Sequence, residues 1–177
     1  MPDLKAADVT IVGSGSWATA IAMVLTSNGK RVAWYIDRPE IFRHVRRYNQ
    51  NPHYITAVKF DPDLIEPFDD ISEAVGASEI IILVTPAAFL KAELEGLDED
   101  AFSGKTVCTG IKGIVPIDNT VVGEYIHMQY DVPYDDIVII TGPSHAEEVS
   151  MEKLTYLTFA SPGREKAETV ASLLSNR

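Results

Sequence analysis

The glycine-rich segment after the first apolar run most limits what this chain can fold into. Gly13, Gly15 and Ala18 form a G-x-G-x-x-A pattern between a strand-like run at residues 9–12 and a helical pattern at residues 17–27. Glycine allows the tight turn and the close approach of a pyrophosphate, and a small third residue lets the helix pack on the sheet. Helix N–H groups then face the anion. The pattern predicts a dinucleotide site at this turn, with Gly13, Ser14 and Gly15 as cofactor-binding candidates.

Strand-like runs alternate with helical patterns along the chain. This alternation predicts an α/β fold: a doubly wound, Rossmann-type, mostly parallel sheet with helices on both faces. We expect a single dinucleotide-binding domain over residues 1–177, with a long loop at about 49–69 that includes a short extended piece at 57–60. The apolar run at 79–84 is typical of a central strand. Further strands are predicted at 31–36, 106–109, 137–141 and 154–160, and further helices at 39–48, 72–77, 87–97, 119–129, 143–151 and 164–174.

Composition excludes several classes of function. The 177 residues include 26 acidic and 15 basic ones, and the net charge of −11 disfavours nucleic acid and anionic membrane as partners. No apolar run is long enough for an integral membrane segment, and we expect no signal peptide. The single cysteine, Cys108, excludes an internal disulfide and fits a cytoplasmic protein. No histidines have metal-ligand spacing, so no metal is expected.

The residues after the second predicted strand bear on the choice of cofactor. Asp37 lies 19 positions beyond Ala18, where an acidic side chain accepts hydrogen bonds from the ribose 2′-OH of NAD. Arg38 follows directly, and an arginine there binds the 2′-phosphate of NADP. The two neighbours leave both cofactors open.

Ligands in doubly wound sheets bind outside the carboxyl ends of the strands. Phe89 follows one such end and packs either against the nicotinamide or only against the start of a helix. Lys112, between Ile111 and Gly113, follows another, where an ammonium binds a substrate phosphate or stabilises charge on a carbonyl oxygen.

A further strand end is followed by Gly142, Pro143, Ser144 and His145. Pro143 and Ser144 are predicted to open a helix whose free N–H groups face an anion. His145 is either a general base or a polar residue at the helix start, and the sequence favours the latter.

Six segments, taken in order, resemble the motifs of NAD(P)-dependent sn-glycerol-3-phosphate dehydrogenases: residues 13–20, 32–34, 51–55, 84–86, 111–113 and 142–149. The resemblance implies dinucleotide contacts from Ser16, Trp17, Phe89 and Ala146. It implies that Lys112 meets both cofactor and substrate, and that the substrate also contacts Gly142 and Ser144. Hydride transfer between nicotinamide and sn-glycerol 3-phosphate or dihydroxyacetone phosphate is the implied reaction.

Three departures from the family pattern matter. Ala18 stands where glycine is usual, which the fold tolerates. Ile36 stands where many bacterial members have a basic or polar residue near the adenosine 2′ position, which favours NAD over NADP. The family also has a helical C-terminal domain that supplies the catalytic lysine, and this chain ends before it. No acid/base residue is therefore assigned, the chain alone is expected to be inactive, and a homodimer is expected only of the full-length enzyme.

Two alternatives stay open. One is the cofactor domain of a related 3-hydroxyacid or sugar-acid dehydrogenase, and the other is a stand-alone nucleotide-sensing or interaction module.

Overall fold

The computed structural model describes residues 6–116 and 118–175. The strands are β1 Val9–Val12, β2 Val32–Tyr35, β3 Ile65–Phe68, β4 Ile80–Leu83, β5 Thr106–Thr109, β6 Ile114–Val115, β7 Thr120–Val121, β8 Ile137–Thr141 and β9 Thr158–Ala160. The helices are α1 Ser16–Ser27, α2 Pro39–Tyr48, α3 Ile71–Gly76, α4 Ala87–Leu94, α5 Val122–Tyr130, α6 Ala146–Ser150 and α7 Arg164–Leu174. A short 3₁₀ turn, Tyr134–Asp136, precedes β8.

The described strands form a seven-stranded sheet in the order β3-β2-β1-β4-β5-β8-β9. Neighbouring strands are parallel except β8 and β9, which are antiparallel. The chain leaves β1 toward one edge through β2 and β3, and then crosses back to place β4 on the other side of β1. This reversal is the point at which doubly wound sheets open a ligand crevice. The predicted mostly parallel Rossmann-type sheet is confirmed, with β4 at its centre.

Helices cover both faces of the sheet, as predicted. On one face α1, α2 and α7 bury residues such as Leu25, Val45 and Val170 against the strands. On the other face α3, α4 and α5 bury residues such as Val75 and Leu90. Burial of these apolar side chains is the main stabilising contribution, and it fixes the strand ends that carry the site.

The segment at 49–69 differs from the prediction. The extended piece expected at 57–60 is wrong, because the strand in this segment is β3, which pairs with β2 at the edge of the sheet. An edge strand tolerates Pro67, which lacks a backbone N–H donor. Because proline is more typical of loops, the sequence around Pro67 predicted a loop and not a strand. Phe60 is instead a buried anchor whose ring meets Trp34 edge-on, with centroids 5.4 Å apart.

Two predicted helix starts are also wrong. The helix expected from residue 119 begins at Val122, because Thr120–Val121 pairs with Ile114–Val115 in a small hairpin. The helix expected from residue 143 begins at Ala146. Gly142 has a φ of +127°, outside the helical region, and the chain needs Pro143 and Ser144 to turn back into a helix.

Candidate functional site

The turn between β1 and α1, which we call the glycine turn, contains Gly13 and Gly15. Steric constraints require glycine in this turn, as the sequence predicts. Gly13 has a φ of +123°, and a Cβ there would lie 2.8 Å from Thr85 Oγ1 and 3.1 Å from the Thr85 backbone nitrogen. Any side chain would therefore collide with the end of β4. The Gly13 carbonyl accepts a hydrogen bond of 2.7 Å from the indole N–H of Trp34, which ties the turn to β2.

The start of α1 fits an anionic group. Gly15 is the N-cap, and a Cβ built on it meets nothing within 4 Å, so the side from which a ligand would approach is open. No described side chain caps this end, and the first turn contains no acidic residue. Ala18 is fully buried, which lets α1 lie close to the sheet. Free N–H groups and the helix dipole at such an end favour a pyrophosphate.

Asn51 is a residue whose part in the site the sequence reasoning missed. Its side chain is fully buried, and Nδ2 donates to the Ser14 carbonyl at 3.1 Å and to Thr19 Oγ1 at 3.0 Å. Its Oδ1 accepts from the backbone N–H groups of His53 and Tyr54. One amide therefore joins the glycine turn to the segment after α2. The sequence offered two signals, the place of residues 51–55 among the family motifs and an asparagine before a proline, which is typical of a turn, and neither indicated this contact.

Asp37 and Arg38 meet at the glycine turn. The Ser14 hydroxyl donates to Asp37 Oδ1 at 2.5 Å, and Arg38 Nε donates to Ser14 Oγ at 3.2 Å. The Arg38 guanidinium also lies over the Tyr54 ring, 5.3 Å from its centroid, and donates to the Tyr54 hydroxyl, which raises the pKa of Arg38. Ile36 is only 1% exposed and belongs to the core, so its side chain offers no polar group to an adenosine ribose.

A cleft of about 330 Å³ lies beside the glycine turn, at the carboxyl ends of β4, β5 and β8. It brings together several predicted residues from distant parts of the chain: Ser16, Trp17, Lys112, Ser144, His145 and Ala146. Phe89 lies outside the lining, 62% exposed on α4, although Pro86 and Ala87 just before it do line the cleft.

Lys112 is positioned by the turn after β5. The Ile111 N–H donates to Thr109 Oγ1 at 3.1 Å, and Gly113 has a φ of +117°, so the backbone reverses on both sides of the lysine. Lys112 itself is exposed at the cleft. A Cβ on Gly110 would lie 2.8 Å from Trp17 Nε1, so glycine leaves room for the indole.

The segment after β8 is held by a close backbone approach. A Cβ on Gly142 would lie 2.5 Å from the Tyr156 carbonyl oxygen, so only glycine fits. His145 is the exposed N-cap of α6, and its carbonyl accepts from the N–H groups of Glu148 and Val149. His145 therefore lies at the start of a helix and also lines the cleft, a position compatible with both roles that the sequence offers.

Two further titratable groups differ in accessibility. Glu93, on α4, is half-buried, and burial together with the negative charge of Asp37 raises the pKa of its carboxyl to about 7. The sequence analysis did not single out Glu93. Cys108 lies in β5 with no exposed surface, and burial raises the pKa of its thiol, which excludes it as a nucleophile.

Residues 6–116 and 118–175 hold neither a candidate metal site nor a candidate membrane-spanning helix. They contain no group of three or more histidine, cysteine or acidic residues placed to hold a metal ion. No helix in that part of the chain is both long and apolar enough to cross a membrane.

A family model for the N-terminus of NAD-dependent glycerol-3-phosphate dehydrogenase matches residues 8–167. The chain belongs to this family. The NAD(P)+ glycerol-3-phosphate dehydrogenase of Oceanobacillus iheyensis is 33% identical over 168 residues, which are 95% of this chain and 48% of that protein. This chain therefore spans about half the length of the curated relatives it matches.

Solved structures of glycerol-3-phosphate dehydrogenases have the same fold. The enzyme of Coxiella burnetii superposes with a TM-score of 0.84 at 21% identity, covering 97% of this chain and 51% of that one. The Plasmodium falciparum enzyme gives 0.85 at 21% identity, covering 96% and 50%. The predicted resemblance, its restriction to the N-terminal domain, and the cofactor class of NAD or NADP are confirmed.

Proposed function

We propose that this chain forms a single dinucleotide-binding domain that provides the cofactor half of a glycerol-3-phosphate dehydrogenase. The observation that carries the proposal is the cleft in which the start of α1 meets Lys112 and Ser144. A pyrophosphate site and a lysine at a neighbouring strand end are what a dehydrogenase for a phosphorylated substrate needs. Family membership favours this function over a related 3-hydroxyacid or sugar-acid dehydrogenase.

Each part of the site has a proposed task. Bound NAD(H) or NADP(H) supplies or accepts the hydride at its nicotinamide. Gly13, Ser14 and Gly15 receive the pyrophosphate, and Asp37 accepts hydrogen bonds from the adenosine ribose. Further contacts to the dinucleotide are proposed for Ser16, Trp17, Phe89 and Ala146.

Lys112 is the proposed charge stabiliser. Its ammonium stands at the cleft, where it would neutralise a substrate phosphate or the charge that develops on the substrate oxygen. Gly142 and Ser144 are proposed to contact the substrate, which we infer to be glycerol 3-phosphate or dihydroxyacetone phosphate. By holding donor and acceptor in register, these residues would lower the entropic barrier to transfer.

The first test measures binding and turnover on the same protein. Energy transfer from tryptophan to the reduced nicotinamide reports NADH binding, because Trp17 lines the cleft. We expect saturable NADH binding by the 177-residue protein and no turnover of dihydroxyacetone phosphate comparable to that of a full-length relative. Failure of NADH and NADPH to bind would refute the proposal. Turnover at the full-length rate would place the acid/base group in this chain, with His145 and Lys112 the first to mutate.

The stand-alone module is the competing proposal. It predicts nucleotide binding that leaves the activity of any downstream region unaffected, whereas the cofactor half must restore activity when joined to the remaining half of a relative. We further propose a cytoplasmic location, supported by the single, buried Cys108, and a homodimer of the full-length enzyme. Cell fractionation and sedimentation of the full-length protein test these two points.

A further inference from the structure

The Arg38 side chain is directed to Tyr54 and not to its neighbour Asp37. Its guanidinium lies over the Tyr54 ring, 5.3 Å from the ring centroid, and Nη2 donates to the Tyr54 hydroxyl at 3.3 Å. Its Nε donates to Ser14 Oγ at 3.2 Å. Among the ion pairs of the described residues, none joins Arg38 to Asp37. Because Ser14 Oγ also donates to Asp37, only one hydroxyl separates the guanidinium from the carboxylate, and a released guanidinium would reach it.

Tyr54 is fixed by groups other than Arg38. Its backbone N–H donates to Asn51 Oδ1 at 3.2 Å, and its half-buried ring packs against the core on the α1 and α2 face of the sheet. The next residue, Ile55, has a φ of +50°, a left-handed conformation that a β-branched residue rarely adopts. Such strain persists only where the surrounding structure determines it, and it is common at ligand-binding segments. Tyr54 is therefore a rigid anchor for the long Arg38 side chain.

These contacts leave the Asp37 carboxylate available as an acceptor. The Asp37 side chain is exposed, and its Oδ1 accepts from the Ser14 hydroxyl. A carboxylate has about four lone-pair sites on its two oxygens, so one serine leaves capacity for a ribose diol. An arginine paired with a carboxylate frequently binds both oxygens. Pairing between Arg38 and Asp37 would therefore remove the charge and the acceptor sites that a ribose 2′-OH needs.

The same contacts make Arg38 a poor receiver for a phosphate. Nε and Nη2 form one bidentate edge of the guanidinium, and this edge is engaged by Ser14 and Tyr54. The Tyr54 ring covers one face of the guanidinium. A 2′-phosphate would therefore meet the negative charge of Asp37 with little compensation from Arg38.

We propose that Tyr54 is a positioning residue for cofactor choice, which holds Arg38 away from Asp37 and so leaves Asp37 to accept hydrogen bonds from the ribose 2′-OH of NAD. The inference rests on the proposed dinucleotide site and deepens it. Repulsion between Asp37 and the 2′-phosphate of NADP adds to the selection, and specificity commonly depends on such a repulsive element. Without Tyr54, Arg38 would pair with Asp37, which weakens the contact to the ribose diol and removes the repulsion.

The test compares NADH and NADPH affinities of the wild-type chain, Tyr54→Leu and Tyr54→Phe, measured by energy transfer from tryptophan to the reduced nicotinamide. We expect Tyr54→Leu to bind NADH about tenfold more weakly, the scale of one charge-assisted hydrogen bond, and NADPH at least as tightly as the wild type does. Tyr54→Phe keeps the ring and loses only the hydroxyl, so we expect its NADH-to-NADPH affinity ratio to fall about threefold. A general loosening of the glycine turn would weaken both cofactors equally and leave this ratio unchanged.

Two further variants show whether Tyr54 acts through Arg38. In an Arg38→Met background the cation is absent, so adding Tyr54→Leu should change the NADH-to-NADPH affinity ratio by less than about twofold. Tyr48→Leu is the matched control, because Arg47 lies over the Tyr48 ring, 5.2 Å from its centroid, in the same way. Within the described part of the chain, that pair has no hydrogen bond to the glycine turn. The control should leave the ratio unchanged.

The outcomes separate this inference from the proposed function. If neither dinucleotide binds the wild type, the proposed function fails and this inference fails with it. If the wild type binds and the ratio is the same in both Tyr54 variants, the proposed function stands and the role of Tyr54 is overturned. A shift that persists in the Arg38→Met background, or an equal shift in Tyr48→Leu, also overturns it. If Tyr54→Leu does not fold, Tyr54→Phe with and without Arg38→Met decides between the same outcomes.

Discussion

Replacing Asn51 with alanine tests whether a buried amide organises the glycine turn. The variant removes the donor to the Ser14 carbonyl and to Thr19 Oγ1, and the acceptor for the N–H groups of His53 and Tyr54. Ser14 and Thr19 are buried, with 4% and 0% exposure, so water does not readily replace the lost partner. A buried polar group left unpaired destabilises a protein by about 1–3 kcal/mol.

The size of the stability loss in Asn51→Ala depends on which hydrogen bonds each former partner of Asn51 keeps. Thr19 Oγ1 still donates to the Gly15 carbonyl at 2.9 Å, and the N–H groups of His53 and Tyr54 are only partly buried. The Ser14 carbonyl, which loses its buried donor, therefore accounts for the largest part of the destabilisation. We expect the free energy of unfolding to fall by about 2–4 kcal/mol, which is well below the sum for four fully unpaired groups. The freed turn should also raise the NADH dissociation constant about tenfold, because a site that must be ordered on binding is weaker.

Urea denaturation of the 177-residue protein gives the free energy of unfolding, and an unchanged m-value shows that the unfolded state is the same. Asn28→Ala is the matched control. Its side chain donates to the carbonyls of Leu173 and Ser175 at the far end of α1, with part of that contact exposed. We expect that control to lose about 1 kcal/mol and to keep its NADH affinity. Equal losses in the two variants, or unchanged NADH affinity in Asn51→Ala, would refute the reasoning.

Three other substitutions give further tests. Gly142→Ala places a Cβ against the Tyr156 carbonyl at a φ of +127°, and it should lower the urea midpoint by an amount equivalent to about 1–3 kcal/mol; an unchanged midpoint would mean that the β9 approach relaxes freely. Lys112→Ala in a full-length enzyme should reduce kcat/KM by the equivalent of about 2–4 kcal/mol, and an unchanged value would leave Lys112 as a solvated lysine. The pKa of Glu93 is raised to about 7, so the folded state binds this proton more tightly than the unfolded state does. The contribution of Glu93 to the free energy of unfolding is therefore fully present below about pH 4.5 and is lost as the pH rises through 7. Glu93→Gln should therefore be more stable than the wild type at pH 8 by about 1–2 kcal/mol after allowance for partial exposure, and equal to it near pH 4; a stability difference independent of pH would contradict the assignment.

The sequence predicts the glycine turn well because its causes are local. The left-handed φ of Gly13, the open side of Gly15 and the burial of Ala18 all follow from residue size within six positions. The same holds for α2, where Pro39 marks the first turn, and for the apolar strands at the centre of the sheet. In each case residues inside the element give the signal, although the clash that restricts position 13 to glycine is with Thr85, 72 positions later.

The parts that sequence reasoning missed depend on contacts between distant residues. Asn51 acts on Ser14, 37 positions earlier, and a polar residue in a proline-rich segment resembles any loop residue. Glu93 lies on α4 among buried leucines, and its half-buried environment depends on how that helix packs rather than on its own segment. The strand β3 is extended only because β2 offers it a partner, since Glu66 and Pro67 have little intrinsic tendency to form a strand.

The two sides of the site differ in how far the described residues organise them. Beside the glycine turn, Ser14, Asp37, Arg38 and Asn51 already hold one another through hydrogen bonds, so cofactor binding there needs little reordering. At the other side, Lys112 and His145 are exposed at the cleft. A net charge of −11 does not draw an anion to this protein from a distance, so short-range N–H donors and one lysine must supply the attraction. That division supports the proposal that residues of this chain fix the dinucleotide and that Lys112 acts on the substrate side.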